Sequence, residues 1–397
     1  MVIFFFNFKS NKNWFIKHIL LNILSFLIRM KKYYNRIFPK KFHKIWNKLK
    51  DKEKIDNDLK YITDKFILSK SYKTVSNYWH ILNIKNFNSI ANYGIEKYGS
   101  TIAQNYYTFT EMHHDEWFDL LVAKLNNKSF IIESDKLFKK QKNFSLKDSI
   151  SYNYLCYLLY FTLKQSSYFN YLSRLNDKSY IGFEDPYLII DNLKITSDKI
   201  VSLFDCENIF KTFGNIEINT ILEIGAGSGR TSDAFLTIKE KNSKYIICDI
   251  PPAIYVSYKR LKIAFPNKKI SLLIDTDNKN DLKNKIEETD ISFIFPDQLK
   301  LLDKNFIDLT IAIDCLHEMD KSVIQYYINC INEFSKNFYF SVWEKTEVPY
   351  SKNMFRQKNV LDVYKNDYMI PASFRNILKE NLIFPSNQIA LGYKIEN

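Results

Sequence analysis

Three glycines crowd into five residues of a chain that has only eight: Gly225, Gly227 and Gly229, in the run Glu223-Ile-Gly-Ala-Gly-Ser-Gly229. Such a stretch lets the backbone bend tightly, take positive φ and admit a ligand with no Cβ in its way. Directly before it, Thr220 to Ile224 reads as a short buried strand. Directly after it, near Ser228, a helix begins whose N-terminal amides point at the same place. Two acids flank the bend. Glu223 stands two positions before the first glycine, and Asp249 follows Gly229 by twenty positions, at the end of a second apolar run, Tyr245 to Cys248. That spacing places Asp249 to accept hydrogen bonds from ribose hydroxyls.

Dinucleotide-binding chains use a related bend, G-x-G-x-x-G, to hold a pyrophosphate. Here the third glycine falls one place early, and Arg230 occupies the dinucleotide position. A carboxylate at the strand end repels a pyrophosphate and attracts an ammonium, so Glu223 favours S-adenosylmethionine, a cationic methyl donor, as cofactor. An oxidoreductase acting on nucleotide sugars would also need a Tyr-x-x-x-Lys pair near the fourth or fifth strand, and none occurs there. Nothing resembles a zinc site, a nucleophilic serine elbow or a phosphate-cradling loop, so no metal is expected.

The pattern E-x-G-x-G-x-G, a second strand ending in Asp249 and a fourth strand entered by Asp308-Leu309 resemble the class I methyltransferases. A narrower likeness covers roughly residues 215 to 345. The runs Ile221 to Arg230, Lys244 to Tyr255 (with Asp249-Ile-Pro-Pro252) and Ile307-Asp-Leu to Leu316-His-Glu-Met319 are similar to the sugar O-methyltransferase family of bacterial surface-polysaccharide gene clusters. The resemblance implies a Rossmann-like α/β sheet with helices on both faces, S-adenosylmethionine in the glycine bend, and a sugar or glycan hydroxyl as acceptor. Where many relatives have Gln before Glu-Met, this chain has His317.

Methyl transfer to a hydroxyl is an in-line displacement at an activated carbon, so orientation supplies much of the rate, and a base assists. His317 is the first candidate base, because an ordinary imidazole is largely neutral at cellular pH and the loop after the fourth strand faces the methyl donor in this fold. The alternative is that His317 caps or packs beside the next helix. Glu318 orients His317, binds a sugar hydroxyl or sits in solvent. Asp297 and Asp275 compete as adenine partner near the third strand, because the sequence between them reads as an insertion. Asp314 is expected to line the cofactor pocket, and Trp343 and Glu344 follow the fifth strand as acceptor contacts or core.

These residues need a parallel sheet behind them. Beyond residue 215, short apolar runs alternate with helical patterns, giving strands at Thr220 to Ile224, Tyr245 to Cys248, Ile270 to Ile274, Ile307 to Ile313 and Asn337 to Val342. Ile389 to Ile395 is a last, antiparallel edge strand. The expected divisions are a basic amphipathic arm at 1–54, a helical substrate-covering region at 55–205 and the cofactor domain at 206–397. Within the middle region, His113-His114-Asp115-Glu116 reads as a metal or base site or as a solvated turn, and Gly182 to Pro186 as a linker.

A formal charge of +13 raises the question of nucleic acid, but residues 1–50 carry twelve Lys and Arg and no acid, which leaves 45 basic against 44 acidic residues elsewhere. The body is near neutral, so no nucleic-acid partner is expected. Residues 14–28 are apolar with a polar stripe at His18, Asn22, Ser25 and Arg29, which suits a helix lying on an anionic membrane surface or packing on its own protein, and is too short to span. Translation starting at Met30 is a further reading. Five scattered cysteines read as reduced thiols of a cytoplasmic protein. Oligomeric state leaves no mark in the sequence.

Overall fold

The computed structural model describes residues 40–73, 75–102, 136, 138–141, 144–176, 186–239, 243–347, 360–382 and 388–396. The surface-helix reading at 14–28, the cluster at 113–116 and the linker up to residue 185 lie outside the described residues.

One eight-stranded sheet organises the chain. In chain order its strands are β1 (Thr220–Ile224), β2 (Lys244–Cys248), β3 (Ile270–Leu272), β4 (Ile291–Ile294), β5 (Leu309–Ile313), β6 (Asn337–Trp343), β7 (Phe374–Asn381) and β8 (Gln388–Ile395). Across the sheet they lie in the order β7-β8-β6-β5-β1-β2-β4-β3. The six strands from β6 to β3 are parallel, and β8 and β7 join antiparallel. The chain order reverses direction between β1 and β5, which opens a crevice at the carboxyl ends of the strands, where ligands bind in open α/β sheets.

Alternation along the strands explains why both faces are covered. Ile221, Tyr245, Ile247, Phe293, Leu309 and Ile311 enter one buried cluster, and Leu222, Ile224, Ile246, Cys248, Ile294 and Ala312 enter the other. Helices Ser197–Phe213 (α6), Arg230–Lys239 (α7) and Ala253–Ala264 (α8) supply the first cluster with Ile209, Phe235 and Ile254. Lys279–Glu287 (α9) and Lys321–Phe334 (α10) supply the second with Leu282, Ile286, Ile324 and Ile328.

Three earlier helices form a layer beside the sheet: α1 (Lys40–Leu49), α2 (Asn57–Leu68) and α3 (Asn77–Tyr93); Leu146–Leu163 (α4) and Asn170–Asn176 (α5) follow. Phe42 and Trp46 of α1 pack on Phe87 of α3 at 5.2 and 5.3 Å between ring centres, which joins α1 to this layer. The layer docks on the sheet side by mixed contacts. Phe66 meets Phe295 edge-on at 5.4 Å, Tyr255 donates to Asp56 at 2.9 Å, and Asn83 donates to the Pro251 carbonyl at 2.9 Å. α6 runs unbroken through the expected boundary at 205/206, because its buried face, from Ile200 to Phe213, is one continuous stripe.

Two strand expectations are corrected. The expected third strand shortens to β3 at the sheet edge, and the strand beside β2 is β4, inside the stretch read as an insertion. β8 is antiparallel as expected but not an edge, since β7 covers it; the side chains of β7 are largely exposed, so its sequence lacks an apolar signature. Among the described residues no helix is long and apolar enough to cross a membrane.

Asp308, just before β5, stitches the amino end of the sheet. One carboxylate oxygen accepts the amides of Asn219 and Thr220 at 2.8 and 3.0 Å, and the other accepts Lys336 Nζ at 2.7 Å. Asp308→Ala strands two amides, and a loss of about 1–3 kcal/mol is expected. Urea unfolding checks this as a lower midpoint with an unchanged slope.

Candidate active site

The glycine bend leaves β1 with Gly225, Gly227 and Gly229 all at positive φ, +71°, +58° and +74°. Each serves a different end. A Cβ at Gly225 would stand 2.6 Å from Cys315 Cβ, so only glycine lets β1 leave the sheet beside the loop that follows β5. Gly227 lines the cavity, and its amide donates to Asp249 at 2.8 Å. Gly229 does not line it. A Cβ there would meet Ser257 of α8 at 3.0 Å, so this glycine serves close packing of α7 on α8 rather than ligand contact.

Around the bend lies a cavity of about 1320 Å³, open mouth included. Its floor is Glu223, Gly225, Ala226, Gly227 and Ser228; one wall carries Asp249, Ile250 and Pro296; the opposite wall carries Asp314, His317, Glu318, Trp343 and Gln388. Val75, Ser76 and Trp79 of the helical layer complete it. The expected residues Glu223, Gly225, Gly227, Asp249, Asp314, His317 and Glu318 are thus brought together.

Asp297 and Asp275 are not. The Asp297 carboxylate takes the Ser71 hydroxyl and, at 3.2 Å, the Lys70 amide, which anchors the helical layer instead of facing the cavity. Asp275 pairs with Lys65 of α2 at 3.8 Å on the surface. Both acids sit near a strand end, as expected of an adenine partner, but a helical layer distant in sequence claims them. Glu344 accepts from Tyr364 and lies outside the lining.

The cavity is acidic, and its acids are buried or half-buried. Glu223 accepts from Tyr245 Oη at 2.8 Å, and burial pushes its carboxyl up to about 7 against the hydrogen bonds of Tyr245 and Ser232. Burial likewise lifts Asp249 to about 7, although the amides of Ile250 and Gly227 hold its two oxygens. Glu318 rises to about 8, first by burial and then by repulsion from Asp314, with a hydrogen bond from Trp79 opposing. His317, 5% exposed, is pushed down to about 4 by burial, against the pull of Asp314. Its Nδ1 has no partner, and its ring meets Trp343 edge-on at 6.3 Å. The acid felt by His317 is therefore Asp314, not Glu318.

Among the described residues one Lys or Arg lines this wall, and it is taken. Arg230 binds Asp205 of α6 at 2.9 Å and Asp314 at 3.3 Å. Asp314 has φ +56°, a left-handed backbone uncommon outside glycine, and Gln388 of β8 donates to its other oxygen. Sequence reading missed Trp79, Arg230 and Gln388 as lining residues. No group of ligands suited to a metal ion occurs among the described residues.

No family model matches the chain, and no curated protein does. Solved structures do. A SAM dependent methyltransferase from Aquifex aeolicus is 14% identical, with 49% of this chain and 92% of that one covered and a TM-score of 0.33. A 1,6-didemethyltoxoflavin-N1-methyltransferase from Burkholderia thailandensis is 14% identical over 51% of this chain and 79% of its own, with a TM-score of 0.31. Human N-acetylserotonin methyltransferase is 12% identical over 50% and 54%, with a TM-score of 0.33.

Buried acids make stability depend on pH. Unfolded carboxyls lose their protons near pH 4, so between pH 6.5 and 8 the folded chain holds more protons at Glu223, Asp249 and Glu318 than the unfolded chain does. Stability therefore falls as pH rises through that window; the lowered His317 acts oppositely only below its ordinary value of 6.5. Thermal melts from pH 6.5 to 8.5 are expected to show a falling midpoint, and Glu318→Gln to flatten the fall.

Proposed function

We propose that this chain is an S-adenosylmethionine-dependent O-methyltransferase acting on a sugar hydroxyl of a bacterial surface glycan or its precursor. The observation that carries the reading is the glycine bend held between two buried carboxylates, Glu223 and Asp249, at the switch point of a parallel sheet. A cationic ligand relieves what burial costs these acids, whereas a pyrophosphate would add to it. The Asp249 oxygens suit the hydroxyls of a ribose, and Glu223 suits an ammonium. Ile250, Pro296 and Val75 offer an apolar wall for a flat base, with no carboxylate from Asp297 or Asp275.

When bound, the cofactor supplies a methyl group on a positively charged sulfur. The chain's own residues must orient the acceptor, exclude water and receive the hydroxyl proton. Trp79 and Trp343 present indole surface suited to the apolar face of a sugar ring. His317 is neutral at cellular pH and takes the proton on a ring nitrogen, while the Asp314 carboxylate favours the resulting imidazolium. Glu318 is the competing base, stronger but largely protonated at pH 7.

Calorimetry tests the cofactor. Gly227→Trp fills the bend and Asp249→Ala removes the anchor of the Gly227 amide; both are expected to weaken S-adenosylmethionine binding at least 100-fold, a loss of about 2.7 kcal/mol or more. Binding equal to wild type in both variants overturns the cofactor assignment. Mass spectrometry of surface glycans from a deletion strain, read for loss of a methyl group, tests the acceptor.

The pH profile separates the bases. With His317 as base, kcat/KM is flat from pH 6 to 8, because the imidazole is already deprotonated there. A rise with a midpoint near 8 transfers the role to Glu318.

A further inference from the structure

Several unsatisfied or acidic polar groups gather on the half of the cavity away from Asp249. Glu318 and Asp314 contribute carboxylates. Gln388, 2% exposed, turns its amide nitrogen to Asp314 and leaves its carbonyl oxygen without a partner. His317 is buried too, with Nδ1 unbonded. Trp79 donates to Glu318, and Trp343 packs on His317. Among the described residues no Lys or Arg pairs with Glu318, and Arg230 is bound by Asp205 and Asp314.

Charge narrows the ligand further. Among the described residues four carboxyl groups line the cavity against one guanidinium, and burial keeps Glu318 largely protonated at pH 7. A bound sulfonium cofactor carries one net positive charge, drawn to the glycine bend, so negative charge remains on the opposite wall. A phosphate or carboxylate there would face Asp314 and Glu318, and among the described residues that line the wall it would find no cation besides the Arg230 held by Asp205 and Asp314. A protonated amine would meet Glu318, which its charge draws into the ionised form, the two unpartnered polar atoms of His317 and Gln388, and two indole faces, a combination that recognises ammonium groups.

We propose that the methyl acceptor carries a protonated amine, as an amino sugar does, and that this ammonium is held against Glu318 on the wall shared by Trp79, His317, Trp343 and Gln388. The proposal rests on the methyl-transfer reading and names its substrate class. It makes Glu318 a specificity residue and excludes phosphate-bearing acceptors from seating their phosphate on this wall.

The test uses the full chain saturated with S-adenosylhomocysteine, so that only the acceptor compartment is open. Benzylamine and benzyl alcohol, nearly equal in shape and different in charge, are titrated by tryptophan fluorescence at pH 7.5. Benzylamine is expected to bind at least tenfold more tightly, and Glu318→Gln to bring the two within about twofold while S-adenosylhomocysteine affinity is kept. Equal affinities in the wild type, or a preference that survives in Glu318→Gln, overturn the proposal and leave methyl transfer standing. Failure of S-adenosylhomocysteine to bind the wild type overturns the methyl-transfer reading and the proposal with it. Should Glu318→Gln fail to fold, the wild-type ratio decides alone.

Discussion

The site hangs on one hydrogen bond between neighbouring strand ends, from the Gly227 amide to the Asp249 carboxylate at 2.8 Å. A left-handed glycine bend has many conformations open to it, and ordering it costs entropy that its one internal bond, from the Gly229 amide to the Ala226 carbonyl at 2.9 Å, offsets only in part. Asp249 fixes it from outside. The carboxylate is itself fixed, because its other oxygen takes the Ile250 amide, and β2 is locked in register to β1 and β4. Gly225 closes the arrangement by donating to the Cys248 carbonyl at 3.0 Å, while Cys315 Sγ donates to the Ile224 carbonyl at 3.2 Å. The bend is thereby tied to the strands on both sides of the switch point.

That rigidity has an electrostatic cost, and the helical layer shares in it. Trp79 reaches Glu318, Ser71 and Lys70 reach Asp297, and Asp56 reaches Tyr255. The contacts are polar and come from a segment more than a hundred residues before the bend. They make the layer a wall of the cavity rather than an appended unit, since Val75 and Trp79 would otherwise leave the acids open to water. Water would pull those carboxyls back toward ordinary values and weaken their preference for a cation.

How much of this was legible in the sequence follows from which interactions are local. The bend, β1, β2, and the pairing of Glu223 with Asp249 could be read because a strand, a turn and the next strand end are encoded within thirty residues. β4 was lost inside a presumed insertion, since Ile291–Ile294 is only four residues long and follows a charged helix. β7 was lost because Phe374–Asn381 exposes most of its side chains and shows no alternation of polarity. Asp297 and Asp275 are bonded to Ser71 and Lys65, contacts from a segment more than two hundred residues earlier that no local pattern announces. Gly229 looks like its two neighbours in sequence, and only the approach of Ser257 reveals that it serves packing.

The pattern of acids explains why Asp314 tolerates an uncommon backbone. It stands where β5 ends beside the bend, and its two oxygens gather Arg230 from α7 and Gln388 from β8. Arg230 in turn reaches Asp205 of α6, so one left-handed residue couples two helices, the central strand and the antiparallel pair. A glycine at 314 would relieve the backbone and dissolve this coupling, leaving the guanidinium bound only on its far side, by Asp205 and Ser202. Strain of about 1–3 kcal/mol is a small charge against that. The same carboxylate also repels Glu318 and attracts a proton toward His317, so its position sets the character of both candidate bases. Backbone geometry and proton chemistry at this wall are thus two consequences of one side chain.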